Sequence, residues 1–248
     1  MFESIYQFIK GLFEGVGGYI GHWVPQASSF AADVDALIGL VAVLAGFWFV
    51  VAQGVFFWLI FRYRRRPGQR GQYITGQEKN LVRFVAWPDW AIIACDIIIV
   101  FAAIMVWMKI KQDFPEPDRQ VRVISQQWAW TFVHPGPDEK FDTEDDIRSF
   151  NEMHVEVDKT YHYDLESLDV LHDFSVPVFR LKQDAIPGRV VKGWFKPTKT
   201  GTWDIQCAEM CGIGHGIMGA RIVIESPEEH AAWIEQNSSG KLASAGSQ

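Results

Sequence analysis

The densest chemistry in this chain lies in twelve residues: Cys207-Ala208-Glu209-Met210-Cys211-Gly212-Ile213-Gly214-His215-Gly216-Ile217-Met218. The spacing is Cys-x3-Cys-x3-His-x2-Met. Two thiols, an imidazole and a thioether make a soft ligand set. Thiolate with imidazole and a weak thioether is the combination used by copper electron-transfer sites. The glycines let such a loop wrap a metal without strain. Two other readings compete. A short-spaced cysteine pair outside the cytosol can close a disulfide. Zinc also takes Cys and His, although structural zinc sites seldom use Met. A mononuclear blue copper site needs one cysteine, so two cysteines fit two bridged coppers better. That arrangement needs a second imidazole, and His134, His154, His162, His172 and His230 are the candidates in the same half of the chain. The third cysteine, Cys95, lies in an apolar run and reads as inert packing.

The loop has to be held by something rigid. Stretches rich in β-formers at 121–124, 128–133, 153–157, 160–165, 189–195, 201–205 and 219–224 are separated by turn signals such as Pro187-Gly188 and Lys199-Thr200-Gly201. Many short strands with such turns predict a β-sandwich or barrel. Residues 227–236 read as a helix with Ser226 as N-cap and Glu228 and Glu229 in its first turn. Residues 114–118, Phe-Pro-Glu-Pro-Asp, read as a stiff linker.

The first half is different in kind. Residues 36–61 carry no charge, and residues 84–108 form a second apolar run interrupted by Pro88, Asp89 and Asp96. Each exceeds the ~20 residues needed to cross a bilayer. Between them lie six arginines, Lys79 and a single acid, Glu78. The positive-inside rule puts this loop in the cytoplasm and both termini outside. Asp96 at mid-span is costly and should face a partner helix, water or a proton path. Phe2, Ile5, Tyr6, Ile9, Leu12, Phe13, Val16 and Ile20 recur at helical spacing, as in a short amphipathic helix lying in the interface or on a partner. The chain has 248 residues and a net charge of −7, unevenly spread: +3 over residues 1–111 and −10 over 112–248. That balance excludes nucleic acid as a partner and suits an outer domain facing a basic one. The expected organisation is 1–30 interfacial helix and linker, 31–111 transmembrane hairpin, 112–237 metal domain and 238–248 disordered tail.

The chain resembles subunit II of cytochrome c oxidase, a CuA-containing family of the heme–copper oxidase superfamily. The resemblance rests on the loop 207–218, on Asp169-Val170-Leu171-His172 followed by Phe174, Pro177 and Pro187-Gly188-Arg189, and on Gln127-Trp128-Ala129-Trp130. It implies a membrane-anchored all-β fold: a two-helix hairpin carrying a cupredoxin-like sandwich on the outer side of a bacterial plasma membrane. It implies a dinuclear copper (CuA) with Cys207 and Cys211 bridging, and with His172 and His215 each binding one copper. Met218 and the Glu209 carbonyl would be weak ligands, and the Glu209 carboxylate would reach a magnesium ion at the interface with subunit I. Trp128 would receive electrons from a c-type cytochrome, with heme and CuB held only by the catalytic subunit. The centre would be a one-electron relay, not the place where O2 is reduced.

The acidic run Asp138, Glu139, Asp142, Glu144, Asp145, Asp146, together with Asp169, suits docking of a basic cytochrome. Three residues depart from the family pattern. Ala129 replaces a tyrosine, Leu81 stands where many relatives have a glutamate (Glu78 lies a turn earlier), and Asp96 is additional. These keep a nitric oxide reductase of the same superfamily as an alternative acceptor complex. A membrane-anchored copper carrier fits less well, because donation needs open, exchangeable ligands. No attached-heme motif (Cys-x-x-Cys-His) occurs, so the cytochrome donor is a separate chain.

Overall fold

A computed structural model describes residues 1–68, 75–136 and 138–238. Contacts divide the chain into a helical unit, residues 1–19 with 35–107, and a β unit, residues 20–34 with 108 onward. Nearly all of the expected tail lies outside the described residues.

The helices are α1 (Phe2–Trp23), α2 (Ala31–Arg62) and α3 (Lys79–Lys111). Both α2 and α3 are long and apolar enough to cross a membrane. The apolar residues of α2 go all the way round, and Phe47, Phe49, Val50, Phe56 and Phe61 are exposed. In water such exposure costs about 25 cal/mol per Å²; in hydrocarbon it does not. Within the unit, Tyr6 of α1, Ala36 and Leu40 of α2, and Ala102 and Val106 of α3 are buried. The small alanines allow close helix approach. Trp48 Nε1 donates to Cys95 Sγ at 3.5 Å, which places Cys95 on the α2-facing side of α3. The outer face of α1 carries Ile5, Phe8, Leu12, Val16 and Tyr19, all exposed and three or four residues apart.

The β unit is two five-stranded sheets packed face to face. One has the order β3-β2-β1-β5-β8 and the other β4-β10-β9-β6-β7. The strands are β1 (Arg119–Gln126), β2 (Ala129–His134), β3 (Ile147–Phe150), β4 (Glu152–Glu156), β5 (Tyr161–Ser167), β6 (His172–Val176), β7 (Leu181–Ala185), β8 (Val191–Phe195), β9 (Gly201–Cys207) and β10 (Gly219–Glu225). All seven expected strands are present; β3, β6 and β7 are additional. Alternate residues face inward, as the period of two requires: β5 buries Tyr161, Tyr163, Leu165 and Ser167 and leaves the residues between them half-exposed. Trp130, Phe132, Tyr163, Phe174 and Phe195 form an aromatic centre. Trp130 and Tyr163 meet Phe174 edge-on at 5.6 and 5.9 Å. Gly193 pairs with Tyr163 across β5 and β8. A Cβ there would lie 2.1 Å from the tyrosine ring, so only glycine fits.

Residues 24–30, expected as plain linker, are built into this unit. Ala27 N donates to Val178 O at 2.8 Å, Thr198 N to Ala27 O at 2.9 Å and Ser29 N to Lys196 O at 3.0 Å. Phe30 is fully buried, edge-on to Trp194 at 5.3 Å. Helix α4 (Pro227–Ser238) opens with the expected cap. Glu229 N donates to Ser226 Oγ while Ser226 N donates to Glu229 Oε2, a reciprocal capping box.

α4 is latched to the sandwich by a polar cluster. Glu225 lies between His154 Nδ1 at 2.7 Å and His230 Nδ1 at 2.8 Å, and His154 Nε2 meets Glu152 at 2.8 Å. Trp233 stacks on His154 with centroids 4.4 Å apart. Burial opposes the charge on Glu225, but the two histidines outweigh it and bring the carboxyl down to about 2. Burial likewise opposes charge on His154, and its two carboxylate partners outweigh that, raising its pKa. Burial, then the charge of His230 and His154, pushes His134 down to about 3, so it stays neutral.

A depressed carboxyl stabilises the fold above its ordinary value of 4.5 and loses that contribution as pH falls towards about 2. The raised His154 contributes fully below 6.5 and loses its contribution as pH rises through the folded value. In denaturation of the full-length protein, Glu225→Gln should therefore cost roughly 3 kcal/mol near pH 6. The gap from wild type should narrow steadily towards pH 3. A gap independent of pH would remove this latch from the stability of the unit.

Candidate metal centre

The Cys-x3-Cys-x3-His-x2-Met loop is the hairpin connection between β9 and β10, two neighbouring inner strands of the second sheet. Cys207 ends β9, Met218 precedes β10, and Cys207 N donates to Met218 O at 3.2 Å to close the loop. On the other side β9 pairs with β6, with Phe174 opposite Cys207. This brings the first residue of β6, His172, to the same end of the sheet. No other candidate histidine comes near. His134, His154 and His230 belong to the α4 latch, and His162 Nε2 meets Pro115 O at 2.7 Å.

The two thiols are free, with their sulfurs 3.7 Å apart. A disulfide requires about 2.05 Å, so the disulfide reading is set aside. Each sulfur has its own imidazole: Cys207 Sγ lies 3.9 Å from His172 Nδ1, and Cys211 Sγ lies 3.7 Å from His215 Nδ1. Each also has a weak donor beside it. Met218 Sδ is 3.7 Å from Cys211 Sγ, and the Glu209 carbonyl is 3.2 Å from Cys207 Sγ. Both cysteines, His172 and Met218 are buried, and His215 is half-buried. Ligand atoms of His172, Cys207 and Cys211 all lie within 4.8 Å of one another. Burial, and then the Cys207 thiol beside it, push the Cys211 thiol up to about 11. Two thiolates this close are stable together only with cationic charge between them. Six donors in two similar halves about a pair of sulfurs fit two soft ions better than one tetrahedral zinc, which takes four ligands.

The ligands are oriented from outside. His172 Nε2 lies 2.8 Å from Asp169 Oδ1, which fixes Nδ1 as the nitrogen turned to the sulfurs. The other oxygen of Asp169 accepts Gln127 N at 2.6 Å, and Val170 N also donates to this carboxylate. Gln127 Nε2 and Trp128 Nε1 in turn donate to the carbonyl of Cys211, at 2.8 and 3.1 Å. Trp128 is thus bonded to the metal loop while 39% exposed. Its ring explains two of the loop glycines. A Cβ on Gly214 would lie 2.3 Å from the indole, and one on Gly212 would meet Gln127 and the indole at 3.0 and 3.2 Å. The sequence reading assigned these glycines to strain-free wrapping of the loop; Gly212, at φ +114°, bears that out and also faces Trp128, while Gly214 makes room for the indole. Gln127 and Asp169 stand in two of the motifs that carry the resemblance, but their roles, bonding the Cys211 carbonyl and orienting His172, are not evident in the sequence.

The acidic run is not brought to this site. Asp138, Glu139, Asp142, Glu144, Asp145 and Asp146 lie in the β2–β3 connection, past the end of β2 remote from Trp128. Six strand residues separate the two by about 20 Å. Part of the run is already engaged: Arg119 pairs with Glu139 at 2.8 Å and Arg122 with Asp142 at 3.0 Å. Of the acids expected to dock a partner, only Asp169 stands beside the loop. The loop beside it presents three strongly exposed apolar side chains, Met210, Ile213 and Ile217, at 73%, 101% and 84% exposure.

The glycine argument has a simple check. Gly214→Ala should destabilise the unit by about 1–3 kcal/mol through overpacking. Gly216→Ala, where a Cβ meets nothing within 4 Å, should stay within about 0.5 kcal/mol. Equal effects in denaturation would show that the indole does not set the choice at 214.

Residues 119–227 match the sequence profile of the cytochrome c oxidase subunit II periplasmic domain. The alternative cytochrome c oxidase subunit 2 of Bradyrhizobium diazoefficiens is 29% identical, with 86% of this chain and 83% of that one aligned. The cytochrome c oxidase subunit 2 of Thermostichus vulcanus is 30% identical, with 90% and 80% aligned. The crystal structure of the periplasmic domain of subunit II of cytochrome oxidase from Bradyrhizobium japonicum is 31% identical, with a TM-score of 0.46 over 50% of this chain and 96% of that domain. The 30% identity that extends over 90% of this chain and 80% of the Thermostichus vulcanus subunit, together with the profile match over residues 119–227, leads to one conclusion: the chain belongs to the cytochrome c oxidase subunit II family, and is a subunit of that class of membrane oxidoreductase.

Proposed function

We propose that this chain is the subunit through which electrons enter a heme–copper oxidase, taking them from a c-type cytochrome at a dinuclear CuA centre and passing them to the heme-bearing catalytic subunit. One observation carries the reading: two free thiols 3.7 Å apart, each flanked by an imidazole Nδ1. Cys207 and Cys211 would hold both coppers, His172 and His215 one each, with Met218 and the Glu209 carbonyl as weak ligands. Bound there, the pair of coppers supplies a one-electron carrier whose charge is shared over two metals and two sulfurs. The chain's own residues do the rest. The strands fix the ligand spacing, Asp169 holds the His172 ring, and the buried walls exclude water. Trp128 offers an exposed aromatic edge hydrogen-bonded to the carbonyl of a ligand residue.

The docking surface for the donor is best drawn as the apolar rim of Met210, Ile213, Ile217 and Trp128, with Asp169 the one acid of the expected docking set beside it. At physiological salt the screening length is about 8 Å, so acids about 20 Å away along β2 add little to the docked state. They act in steering at low salt. The Glu209 carboxylate makes no hydrogen bond among the described residues, which leaves it available for magnesium at the junction with the catalytic subunit. The arginine-rich loop would lie in the cytoplasm of a bacterium, and the metal domain outside the plasma membrane.

The intact purified complex should contain two coppers per copy of this chain in the CuA site and show a mixed-valence spectrum. Cys207→Ser should abolish that spectrum, and Trp128→Leu should slow cytochrome oxidation while leaving it unchanged. One copper, or a colourless zinc site, would sink the proposal. Turnover with reduced c-type cytochrome should be fast with O2 and weak with NO. The reverse would assign the chain to a nitric oxide reductase.

A further inference from the structure

At the end of the sandwich remote from the copper loop, the start of β1, the end of β2 and α4 enclose a cavity of about 600 Å³. Its charged lining among the described residues is Asp118, Arg119, Glu139 and Glu156, and two imidazoles, His134 and His230, line it as well. Arg119 is already taken up by Glu139 at 2.8 Å and Glu156 at 3.9 Å. One guanidinium against three carboxylates gives the cavity a field that draws cations and repels anions.

The imidazoles are the unusual part. His134 is 3% exposed and His230 5%. Neither nitrogen of His134 makes a hydrogen bond among the described residues, and its Nε2 is fully buried. His230 engages Nδ1 alone, 2.8 Å from Glu225 Oε2; its Nε2 has no partner among the described residues. Buried polar groups are otherwise almost always hydrogen-bonded, so two imidazoles left unpaired at one cavity call for an ion or ligand. Both rings rest against one indole, Trp233, with centroids 5.2 and 5.8 Å from it. His154 lies against the same indole but is excluded as a ligand, because both its nitrogens meet carboxylates.

This is the chemistry of a metal ligand pair. A carboxylate on Nδ1 fixes the His230 ring and leaves the lone pair on Nε2, as the carboxylate behind a metal-bound histidine does. Burial, then His230 and His154, push His134 down to about 3, so it is neutral and able to coordinate. Imidazole nitrogen in an acidic setting suits zinc or copper(II).

We infer that this cavity is a metal site separate from the copper loop, binding a divalent transition-metal ion such as zinc through His134 and His230. Among the described residues no three donors around it lie within 4.8 Å of one another, as those of the copper loop do. Two imidazoles therefore hold the ion and water fills its other positions, with Glu139 and Glu156 balancing its charge. An open shell of this kind makes the site exchangeable, unlike the closed four-ligand sites that support a fold. The inference shares no residue with the electron-entry reading and stands apart from it.

Zinc is the probe, offered to the intact purified complex by equilibrium dialysis. The wild-type complex should take up one zinc more than a His134→Gln, His230→Gln double variant. Either single change should weaken that zinc by at least about tenfold, the loss seen when even a ligand's outer partner is removed. Assembly of each variant at wild-type yield reports that the chain folds. Anomalous diffraction at the zinc edge from the zinc-soaked wild-type complex needs no variant, and should show a peak between the two rings. Equal uptake by wild type and double variant, zinc peaks elsewhere only, or water alone between the rings would overturn the inference.

Discussion

The structure turns on the closeness of two buried sulfurs. At 3.7 Å they are too far apart to be bonded and too near to be ionised together without a cation. A pair of thiols kept in that relation is a constraint that the rest of the β unit has to satisfy. Strands β9 and β10 supply it by starting and ending one short loop, and β6 brings a third element alongside. The strands are rigid because their facing sides interlock through Trp130, Phe132, Tyr163 and Phe174. The sulfur spacing thus has two sources: β9 fixes Cys207, and Cys211, out in the loop, is fixed through its carbonyl by Gln127 and Trp128.

A second layer of contacts ties the surface to the sulfurs. Asp169 holds His172 from behind and also takes the backbone N–H of Gln127. Gln127 and Trp128 then donate to the carbonyl of Cys211. One carboxylate and one carbonyl therefore set the ligand orientation and the placement of the exposed indole together. A change at Asp169 would move both, which distinguishes it from an acid that only attracts a partner. Gly212 and Gly214 belong to the same device, since side chains there would displace the ring.

The sequence made the ends of this chain legible but not their juxtaposition. The apolar spans, seven strands and the capped α4 follow from periodicity and turn chemistry, because each is a local pattern. β6 and β7 were missed because their residues, His-Asp-Phe-Ser-Val and Leu-Lys-Gln-Asp-Ala, carry too many polar groups to read as strands; pairing with β9 makes β6 one. For the same reason composition left five histidines open. The resemblance pointed to His172, and antiparallel pairing with β9 is the physical reason it lies there. Residues 24–30 gave no strand signal, yet Ala27 and Phe30 fill the base of the sandwich. The acidic run is the reverse case. It is conspicuous in the sequence, and only the direction of β2 reveals that it lies past the end of that strand remote from Trp128.

The two ends of the sandwich consequently differ in electrostatic character, and the difference bears on how a donor would dock. At the metal end Met210, Ile213 and Ile217 are the most exposed large apolar side chains of the loop, and Asp169 is already committed to three hydrogen-bond donors, the N–H groups of Gln127, Val170 and His172. At the far end, charges are plentiful but partly paired with Arg119 and Arg122. An apolar contact is short-ranged and insensitive to salt, whereas a remote acidic field acts at a distance and fades with screening. On the proposed function these divide the work: the field raises the encounter rate, and the apolar rim decides where the partner stops. The stopping place matters most for a relay. From the exposed indole, one hydrogen bond reaches the Cys211 carbonyl, and the remaining links to the sulfur are covalent.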